Sequence, residues 1–365
     1  MTDRPVSDLS RPDSPGQLGL QLAAEWQPHT ATWLAWPHNR DTWPGSFEPI
    51  PRVWTELVEV IAAREPVHIL AGTSPVMEEA ERCVGHLREV TLHDVATNDA
   101  WLRDSGPMFL RSGDDRPEKL LRAAVVDWEY DAWGGKYPPF DLDNAIPRRV
   151  AELTDLDRYA TGVVLEGGAV ESNGRGSVLA GESCLVGKRR NAALARADFE
   201  RLLQDFAGVQ QVIWIAPLGD QTGIVGDDTD GHIDQLARFV AADRVVVAAE
   251  EDPADANFDF LANLWEQLTA ARDAQGNPLE LIRLPMPAAV THQGERLPAS
   301  YANFYVANDL VVVPQFDDPA DAVTKEILGD CFPGREMYGF DSRALVRGLG
   351  GVHCVTLSQP ALSVD

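Results

Sequence analysis

Cysteine, basic residues and long apolar runs are all scarce in this sequence. The four cysteines in 365 residues include no CxxC pair, which favours reduced thiols in a reducing compartment over a disulfide framework. The 31 lysines and arginines face 57 aspartates and glutamates, a formal net charge of −26, which argues against nucleic acid as a partner. No stretch approaches the roughly 18 apolar residues that cross a membrane, and the N-terminus lacks the apolar core of a signal peptide. We therefore expect a cytoplasmic protein with no membrane or nucleic-acid partner.

The sequence does contain a regular alternation of strand-like and helix-like segments. Apolar, β-branched runs predict strands at 30–37, 66–72, 119–130, 211–217, 244–250 and 308–316. The stretches between them predict helices at 52–64, 75–88, 192–206, 258–272 and 318–328. Such alternation is typical of an α/β architecture.

Composition indicates one domain preceded by a tail. Residues 1–18 are rich in proline, serine and aspartate, which predicts a disordered segment. No low-complexity linker interrupts the remainder. We therefore expect residues 19–365 to form a single domain.

A loose repeat runs through the chain. Several segments share one form, in which a polar cluster is followed by a strand, a tight turn and a β-branched strand. Their polar anchors recur at intervals of 51 to 71 residues, at Trp36, Asp104, Glu166, His232, Asn303 and Cys354. This spacing predicts about five copies of one unit in a propeller-like arrangement, in which equivalent strand ends converge on the axis. Residues far apart in sequence would then meet at one site.

Three polar motifs carry candidate functional residues, and each also has a purely structural interpretation. "NDAWLRDSGP" (98–107) holds Asp104, which could equally cap a turn. "LEGGAVES" (165–172) places Glu166 before two glycines, which permit close approach of backbone or ligand, or form a bulge. In "DDTDGHIDQLARF" (227–239), a strand that begins at His232 would point His232 and Asp234 to the same face.

The motif "GGVHCVTLSQP" (350–360) holds Cys354 in a short apolar run. By itself such a cysteine is typical of a small buried side chain rather than of a nucleophile. The carboxylates and the histidine at equivalent repeat positions favour the nucleophile instead. The same residue types also allow a zinc or manganese site, although no HxxxH or HExxH spacing supports one. Its ligands would be His232, Asp234, Glu166 and His353.

Seven ordered motifs across residues 20–361 closely resemble the agmatine deiminase family, which includes the bacterial peptidylarginine deiminases. Beyond the four quoted above, they are "EWQPHTATWLAWPHN" (25–39), "WGGKYPPFDLDNAIP" (133–147) and "ASYANFYVANDLVVVPQFDDPAD" (299–321). The resemblance implies the pentein fold, a five-bladed pseudo-symmetric α/β propeller of ββαβ units, which agrees with the loose repeat. It also implies a hydrolase with a small cationic guanidino substrate and no cofactor. A homodimer is expected on general grounds.

The resemblance implies a role for each candidate residue. Cys354 corresponds to the family's nucleophile and His232 to its general acid/base. The remaining residues would surround the substrate: Asp104 and Asp234 grip the guanidinium group, Glu166 contacts it or orients the histidine, and Trp101 lines the channel. Attack by Cys354 would form an S-alkylthiouronium intermediate, which water hydrolyses. With agmatine, the products would be N-carbamoylputrescine and ammonia.

Two positions depart from the family pattern. Gly351 stands where the family more often has asparagine or serine, which removes one polar side chain near Cys354. The segment "DDTDGH" stands where better-known agmatine deiminases have "DETNGH", which weakens the prediction of the substrate's tail. Peptidylarginine or another small guanidine therefore stays an alternative substrate. The residue types also leave open a metal-dependent hydrolase and a non-catalytic binding protein for cationic metabolites.

The predicted site raises a question about the thiol. Carboxylates beside Cys354 should raise the pKa of its thiol, because like charges disfavour ionisation. A protonated His232 or the bound guanidinium could compensate. We expect a substantial contribution from the substrate, and therefore low reactivity of Cys354 in the free enzyme.

Overall fold

The structure is a computed structural model that describes residues 13–113, 122–187 and 189–362. Its strands are β1 Leu20–Leu22, β2 His29–Ala35, β3 Val67–Leu70, β4 Val90–His93, β5 Met108–Ser112, β6 Ala123–Glu129, β7 Asp157–Val164, β8 Val170–Ser172, β9 Ser177–Gly181, β10 Gln211–Ile215, β11 Ala237–Phe239, β12 Arg244–Ala249, β13 Glu280–Pro285, β14 Thr291–His292, β15 Glu295–Arg296, β16 Tyr305–Ala307, β17 Leu310–Gln315, β18 Glu336–Asp341 and β19 Leu357–Pro360.

Helices of nine or more residues lie between these strands, together with single helical turns. The long helices are α1 Ile50–Ala62, α2 Ser74–Val84, α6 Ile146–Thr154, α8 Arg196–Ala207, α9 Phe258–Ala270 and α10 Ala320–Cys331. The four-residue α-helical turns are α3 Leu102–Ser105, α4 Ala132–Gly135, α5 Asp141–Asn144, α7 Glu182–Leu185 and α11 Val352–Val355. The 3₁₀ turns are Arg40–Thr42, Gly167–Ala169, Ile233–Gln235, Tyr301–Asn303 and Leu345–Gly348. The predicted α/β architecture is confirmed.

One unit is repeated in five sheets of the described residues. In each unit an antiparallel pair of strands is followed by a helix and a third strand parallel to the second. The units comprise β5–β6–α6–β7, β8–β9–α8–β10, β11–β12–α9–β13, β16–β17–α10–β18 and β19–β2–α1–β3. In the last unit, strand β19 near the end of the chain pairs with β2 near its beginning. The first and last parts of the sequence therefore complete one unit together.

A short helical turn precedes the first strand of every unit. These turns are Leu102–Ser105, Gly167–Ala169, Ile233–Gln235, Tyr301–Asn303 and Val352–Val355. Each turn contacts the next one along the chain, and the last contacts the first. The five turns therefore form a closed ring, and we refer to them below as the turn ring.

The helices cover the sheets through amphipathic faces. In α1 the buried residues Trp54, Leu57, Val58 and Ile61 recur at helical spacing and lie in one core cluster with the strand residue Ile69. Burial of each such side chain contributes roughly 1.5–3 kcal/mol. This apolar packing fixes the helices on the sheets, whereas the polar candidate residues lie on or beside the turn ring.

Most predicted segments are confirmed, but two details of the repeat were wrong. The strand predicted to begin at His232 begins at Ala237, because Leu236 donates its N–H to Ile233 O at 2.9 Å and closes a 3₁₀ turn first. Trp36 does not begin a unit of its own, because it follows β2, which belongs to the same sheet as β19. Trp36 and Cys354 therefore belong to one unit.

The ends of the described residues bear on the predicted tail. Residues 1–12 of that tail lie outside the described residues, as do 119–121 of the predicted strand 119–130. Residues 13–18 lead into β1. Within this segment Ser14 is buried, and Gly16 donates its N–H to Asp205 O at 2.8 Å. None of the helices in 13–113, 122–187 and 189–362 is long and apolar enough to span a membrane.

Candidate active site

The turn ring brings the predicted site residues into one region. Asp104 lies within its turn, which ends at Gly106 because Pro107 has no N–H for another helical hydrogen bond. His232 and Asp234 flank the first residue of a second turn. All the candidate residues on or beside the turns are buried: Asp104, Glu166, His232, Asp234 and Cys354.

A cavity of about 1030 Å³ reaches two of these residues, Asp104 and Cys354. Aromatic side chains form part of its wall, including the predicted channel residue Trp101, which packs 5.5 Å from Trp43 between ring centroids. Its acidic lining residues are Asp41, Asp99, Asp104, Asp143, Asp228 and Glu295, and its lysine and arginine residues are Arg40, Lys136 and Arg347. The cavity wall is therefore more acidic than basic.

Cys354 lies against an amide and a carboxylate. Asn303 Nδ2 donates to its Sγ at 3.3 Å, and Asp234 Oδ2 lies 3.6 Å from the same sulfur. Burial raises the pKa of this thiol well above its usual value, and the charges of Asp234 and Asp104 raise it further. The predicted direction of the shift is confirmed, with burial as the larger cause.

One side of the site is a group of four residues that we call the His232 arm: Asp104, His232, Glu166 and Arg190. His232 Nδ1 lies 3.6 Å from Asp104 Oδ1, and its Nε2 lies 3.3 Å from Glu166 Oε2. The other Glu166 oxygen accepts a 2.6 Å hydrogen bond from Arg190 Nε. Burial alone would lower the pKa of His232, but the carboxylates of Asp104 and Glu166 outweigh it and raise this pKa to about 9. Burial also raises the pKa of Asp104, against the opposing charge of His232.

The other side is the His353 arm: Asp234, His353 and Glu25, with Arg103 and Arg238. His353 Nδ1 lies 2.8 Å from Asp234 Oδ2, and its Nε2 lies 2.8 Å from Glu25 Oε2. Glu25 in turn accepts hydrogen bonds from Arg103 Nη2 at 2.7 Å and Arg238 Nη2 at 2.9 Å. Burial would raise the pKa of Asp234, but the hydrogen bond and charge of His353 lower it.

The two glycines of "LEGGA" allow these groups to approach one another. A Cβ at Gly167 would lie 2.2 Å from Arg103 O, so this glycine lets two neighbouring turns touch. A Cβ at Gly168 would lie 2.6 Å from His232 Nδ1, 2.8 Å from Asp104 Oδ1 and 3.2 Å from Asp234 Oδ2. Gly168 therefore keeps open the space between the two arms.

Gly351 has a similar reason to lack a side chain. A Cβ there would lie 2.3 Å from Asn303 Oδ1, in the amide that also contacts Cys354. Asn303 Oδ1 accepts the backbone N–H of His353 at 3.0 Å. Asn303 thus supplies a polar contact to the thiol beside a glycine where the family more often has a polar side chain.

Asp230, in the second departure from the family pattern, bridges two cations. Its carboxylate lies 2.9 Å from Arg190 Nη1 and 3.2 Å from Lys136 Nζ. Lys136 follows the short turn Ala132–Gly135, whose Trp133 donates its indole N–H to Asp104 Oδ2 at 3.0 Å. Asp230 therefore pairs both with Lys136 in the cavity wall and with Arg190 in the His232 arm.

The four residues of the alternative metal site pair in twos rather than forming one cluster. His232 contacts Glu166, whereas His353 contacts Asp234. Within the described residues, no group of three or more histidine, cysteine and acidic side chains has an arrangement that could hold a metal ion.

Several contributors to the site were not predicted as site residues. Asn303 was recognised only as a repeat anchor and His353 only as a possible metal ligand, although the "HC" pair placed His353 beside the nucleophile. Glu25 opens the motif "EWQPH", which was an available signal. Arg190 lies in an irregular loop with no motif that points to it.

Comparisons with known proteins show the family to which this chain belongs. The family model of the Porphyromonas-type peptidyl-arginine deiminases matches residues 21–360. The agmatine deiminase of Pseudomonas syringae pv. tomato is 33% identical, over 95% of this chain and 97% of that protein. The agmatine deiminase of Pseudomonas aeruginosa is 32% identical, over 97% of this chain and 99% of that protein. The solved structure of the Enterococcus faecalis agmatine deiminase superposes with a TM-score of 0.86 at 29% identity, covering 95% of this chain and 97% of that one. The chain therefore belongs to the Porphyromonas-type peptidyl-arginine deiminase family.

Proposed function

We propose that the protein is an agmatine deiminase, which hydrolyses agmatine to N-carbamoylputrescine and ammonia. The observation that carries the proposal is a group of four residues: Cys354 and Asp104 line the cavity, Asp234 lies 3.6 Å from Cys354 Sγ, and His232 lies 3.6 Å from Asp104. A guanidinium is a planar cation, and carboxylates bind its N–H groups through charge-assisted hydrogen bonds. Asp234 Oδ1 is buried and accepts no hydrogen bond from the described residues, so it is available to such a ligand.

When the guanidinium binds, the Cys354 thiol releases its proton to solvent, and in the first step its Sγ attacks the guanidinium carbon as a thiolate. Asp104 and Asp234 hold the cation. Thiolate and guanidinium give a formally neutral tetrahedral adduct, so no oxyanion hole is required, and the two carboxylates stabilise the positive charge that the adduct gains when a nitrogen is protonated. His232, whose pKa is raised to about 9, delivers a proton to the departing nitrogen, which leaves as ammonia. The product of this step is a thiouronium covalently bound to Cys354.

In the second step, water replaces the sulfur. His232, now without its proton, accepts a proton from the attacking water, and the carbon–sulfur bond breaks to regenerate the thiol. Both Glu166 oxygens are engaged, one by Arg190 and one by His232. We therefore assign Glu166 to orienting His232 rather than to gripping the substrate, and Trp101 to the channel wall.

The cavity supports a substrate with a cationic tail. Its acidic lining residues outnumber the basic ones, which favours the free amine of agmatine over the carboxylate of arginine. The family also includes peptidyl-arginine deiminases, so a peptidyl-arginine is the alternative to agmatine as the substrate. Outside the family's chemistry, the rivals are a metal-dependent hydrolase and a binding protein without turnover.

We also propose the arrangement in which this site works. The closed turn ring and the five repeated units support a five-bladed pseudo-symmetric propeller in a single catalytic domain over residues 19–365. The four cysteines are unpaired, which supports a cytoplasmic location. A homodimer is the proposed assembly, since two-fold dimers are the commonest oligomers.

Ammonia release from agmatine, arginine and a peptidyl-arginine, measured side by side, tests the proposal. We expect turnover of agmatine that Cys354→Ala abolishes and that a metal chelator leaves unchanged. Turnover of the peptide alone would contradict the substrate, and loss with chelator but survival in Cys354→Ala would contradict the mechanism. Binding of agmatine without ammonia release would favour the binding protein.

A further inference from the structure

The His353 side chain lies between two carboxylates at equal distances. Its Nδ1 is 2.8 Å from Asp234 Oδ2 and its Nε2 is 2.8 Å from Glu25 Oε2, and the side chain is 2% exposed. An ionised carboxylate can only accept hydrogen bonds. A neutral imidazole has one N–H and would turn a lone pair toward one of the two carboxylates. Two hydrogen bonds therefore require a proton on both ring nitrogens, provided that both carboxylates are ionised.

Both carboxylates have reasons to be ionised. Glu25 accepts hydrogen bonds from Arg103, from Arg238 and, at 2.9 Å, from the backbone N–H of Val306. Burial would raise the pKa of Glu25, but Arg238, His353 and Arg103 hold it well below its usual value. Burial would raise the pKa of Asp234, but His353 lowers it, and the charges of His232 and Arg238 lower it further.

The charged groups around His353 balance. The negative groups are Asp234, Glu25 and Glu171, and the positive groups are His353, Arg103 and Arg238. Arg103 Nε also donates to the His353 backbone oxygen at 3.3 Å, and Arg238 Nε lies 2.9 Å from Glu171 Oε2. With a proton on both ring nitrogens of His353, this ion-pair network holds as many basic as acidic residues.

This bridge fixes the orientation of the Asp234 carboxylate beside Cys354. Asp234 Oδ2 is occupied by His353 and lies 3.6 Å from Cys354 Sγ, whereas Asp234 Oδ1 accepts no hydrogen bond within the described part of the chain. Rotation of the carboxylate would break the bond to His353. The free oxygen is thereby fixed in the position from which it can meet a substrate N–H.

We propose that His353 is a positioning residue, an imidazolium whose two N–H groups bridge Glu25 and Asp234 and so present the free oxygen of Asp234 to the guanidinium group. The inference rests on the proposed function for its kinetic consequence. Its structural part, the doubly protonated ring, is independent of any activity.

Two substitutions separate the two hydrogen bonds of His353. Asparagine keeps a donor near the position of Nδ1, facing Asp234, and glutamine keeps one near Nε2, facing Glu25. A hydrogen bond to a charged group is worth about 1.5–3 kcal/mol, or roughly 10- to 100-fold in an equilibrium. We expect His353→Asn to keep kcat/KM for agmatine within about tenfold of wild type. His353→Gln should lose about tenfold to 100-fold more, chiefly through a higher KM.

The matched controls are His68→Asn and His68→Gln. His68 is half-buried, hydrogen-bonded to His93 at 2.8 Å and absent from the cavity lining, so neither change should alter kcat/KM. Equal losses in the two His353 variants, or a greater loss in His353→Asn, would overturn the positioning role.

A spectroscopic measurement on the free wild-type protein tests the protonation directly. In ¹⁵N NMR of histidine-labelled protein at pH 7, with His353 assigned by its loss in His353→Asn, both ring nitrogens should carry protons. A single unprotonated ring nitrogen under these conditions would overturn the inference even if agmatine is turned over. Absence of ammonia release from wild type would instead overturn the proposed function and leave this spectral test in force. The spectrum needs only the wild-type fold, so a misfolded His353 variant would not prevent the decision, since His353 can then be assigned by sequential experiments.

Discussion

The two arms beside Cys354 contain the same residue types in the same order but differ in spacing. Each joins an aspartate, a histidine, a glutamate and arginine in that order. In the His232 arm the histidine nitrogens lie 3.6 and 3.3 Å from the carboxylate oxygens, whereas in the His353 arm both distances are 2.8 Å. The same four residue types therefore form one loose and one tight arrangement around a single thiol.

This difference separates two tasks that a deiminase requires. A general acid/base must exchange its proton with the substrate and with water, so a histidine held by long contacts suits it. A group that only fixes charge works best in short hydrogen bonds on both sides. We propose that the His232 arm moves protons and that the His353 arm holds the carboxylate of Asp234 for the substrate.

Filling the space between the two arms with a methyl group should have the largest effect on kcat/KM. In Gly168→Ala the added methyl group would lie 2.6 Å from His232 Nδ1 and 2.8 Å from Asp104 Oδ1. Displacement of catalytic groups by about 1 Å costs on the order of 100-fold in rate, so we expect at least that loss in kcat/KM. The control Gly329→Ala meets only Met337 Cγ at 3.7 Å and should be neutral. A Gly168→Ala enzyme with wild-type kinetics would show that the space between the arms is not used.

The pH dependence should distinguish the arms next. The pKa of His232 is raised to about 9, so its proton is present below that pH and lost above it. The alkaline limb of kcat/KM should therefore lie near pH 9, because the leaving ammonia then lacks its proton donor. Glu166→Gln removes one of the carboxylates that raise this pKa and should move the limb to lower pH. Glu25→Gln, in the other arm, should leave it in place, and equal shifts in both variants would contradict the division of tasks.

The reactivity of the Cys354 thiol should increase when a positively charged ligand binds at the site. Burial, Asp234 and Asp104 raise the pKa of Cys354, so a neutral alkylating reagent should label it slowly at pH 7. A cationic analogue that is not turned over and leaves the sulfur accessible should accelerate labelling several-fold by stabilising the thiolate. The half-buried Cys83 provides an internal control with an unchanged rate. Equal labelling rates with and without the analogue would show that the substrate does not activate the thiol.

The smallest expected effect concerns the outer end of the His232 arm. Asp230→Asn removes the charge that pairs with Arg190 and Lys136 but keeps the size of the side chain. It also introduces the residue that better-known agmatine deiminases have at this position. The Asp230 side chain is 27% exposed, and pairs near the surface contribute about 1 kcal/mol or less. We therefore expect a loss in kcat/KM of about fivefold or less. The control Asp317→Asn breaks a pair at a 79% exposed side chain and should be silent. A loss beyond 100-fold in Asp230→Asn would mean that the arm depends on its outer charge.

The sequence predicted the regular elements well because their periodicity is local. The strands predicted at 211–217 and 244–250 are Gln211–Ile215 and Arg244–Ala249, and the helix predicted at 258–272 is Phe258–Ala270. In each case a β-branched run or an amphipathic stretch is bounded by turn residues. The turn ring was less visible, because a single 3₁₀ turn such as Ile233–Gln235 has no period to detect.

The predicted site residues came from motifs, whereas their partners came from closure of the fold. His353 and Glu25 are 328 residues apart and meet because β19 pairs with β2. Arg190 reaches Glu166 from an irregular loop 24 residues later, where no local pattern specifies its contact. Residue types also do not reveal that the histidine–aspartate distance is 3.6 Å in the His232 arm and 2.8 Å in the His353 arm. Sequence reasoning could therefore name the reacting groups but not divide them into two arms.

The turnover number for agmatine in His232→Asn and His353→Asn, measured side by side, tests the division of tasks most directly. We predict that His232→Asn lowers kcat by about 10²- to 10⁴-fold, because it removes the general acid/base, while KM changes little. His353→Asn, which keeps a donor facing Asp234, should change kcat by less than about tenfold. Equal falls in kcat, or a larger fall in His353→Asn, would contradict the account.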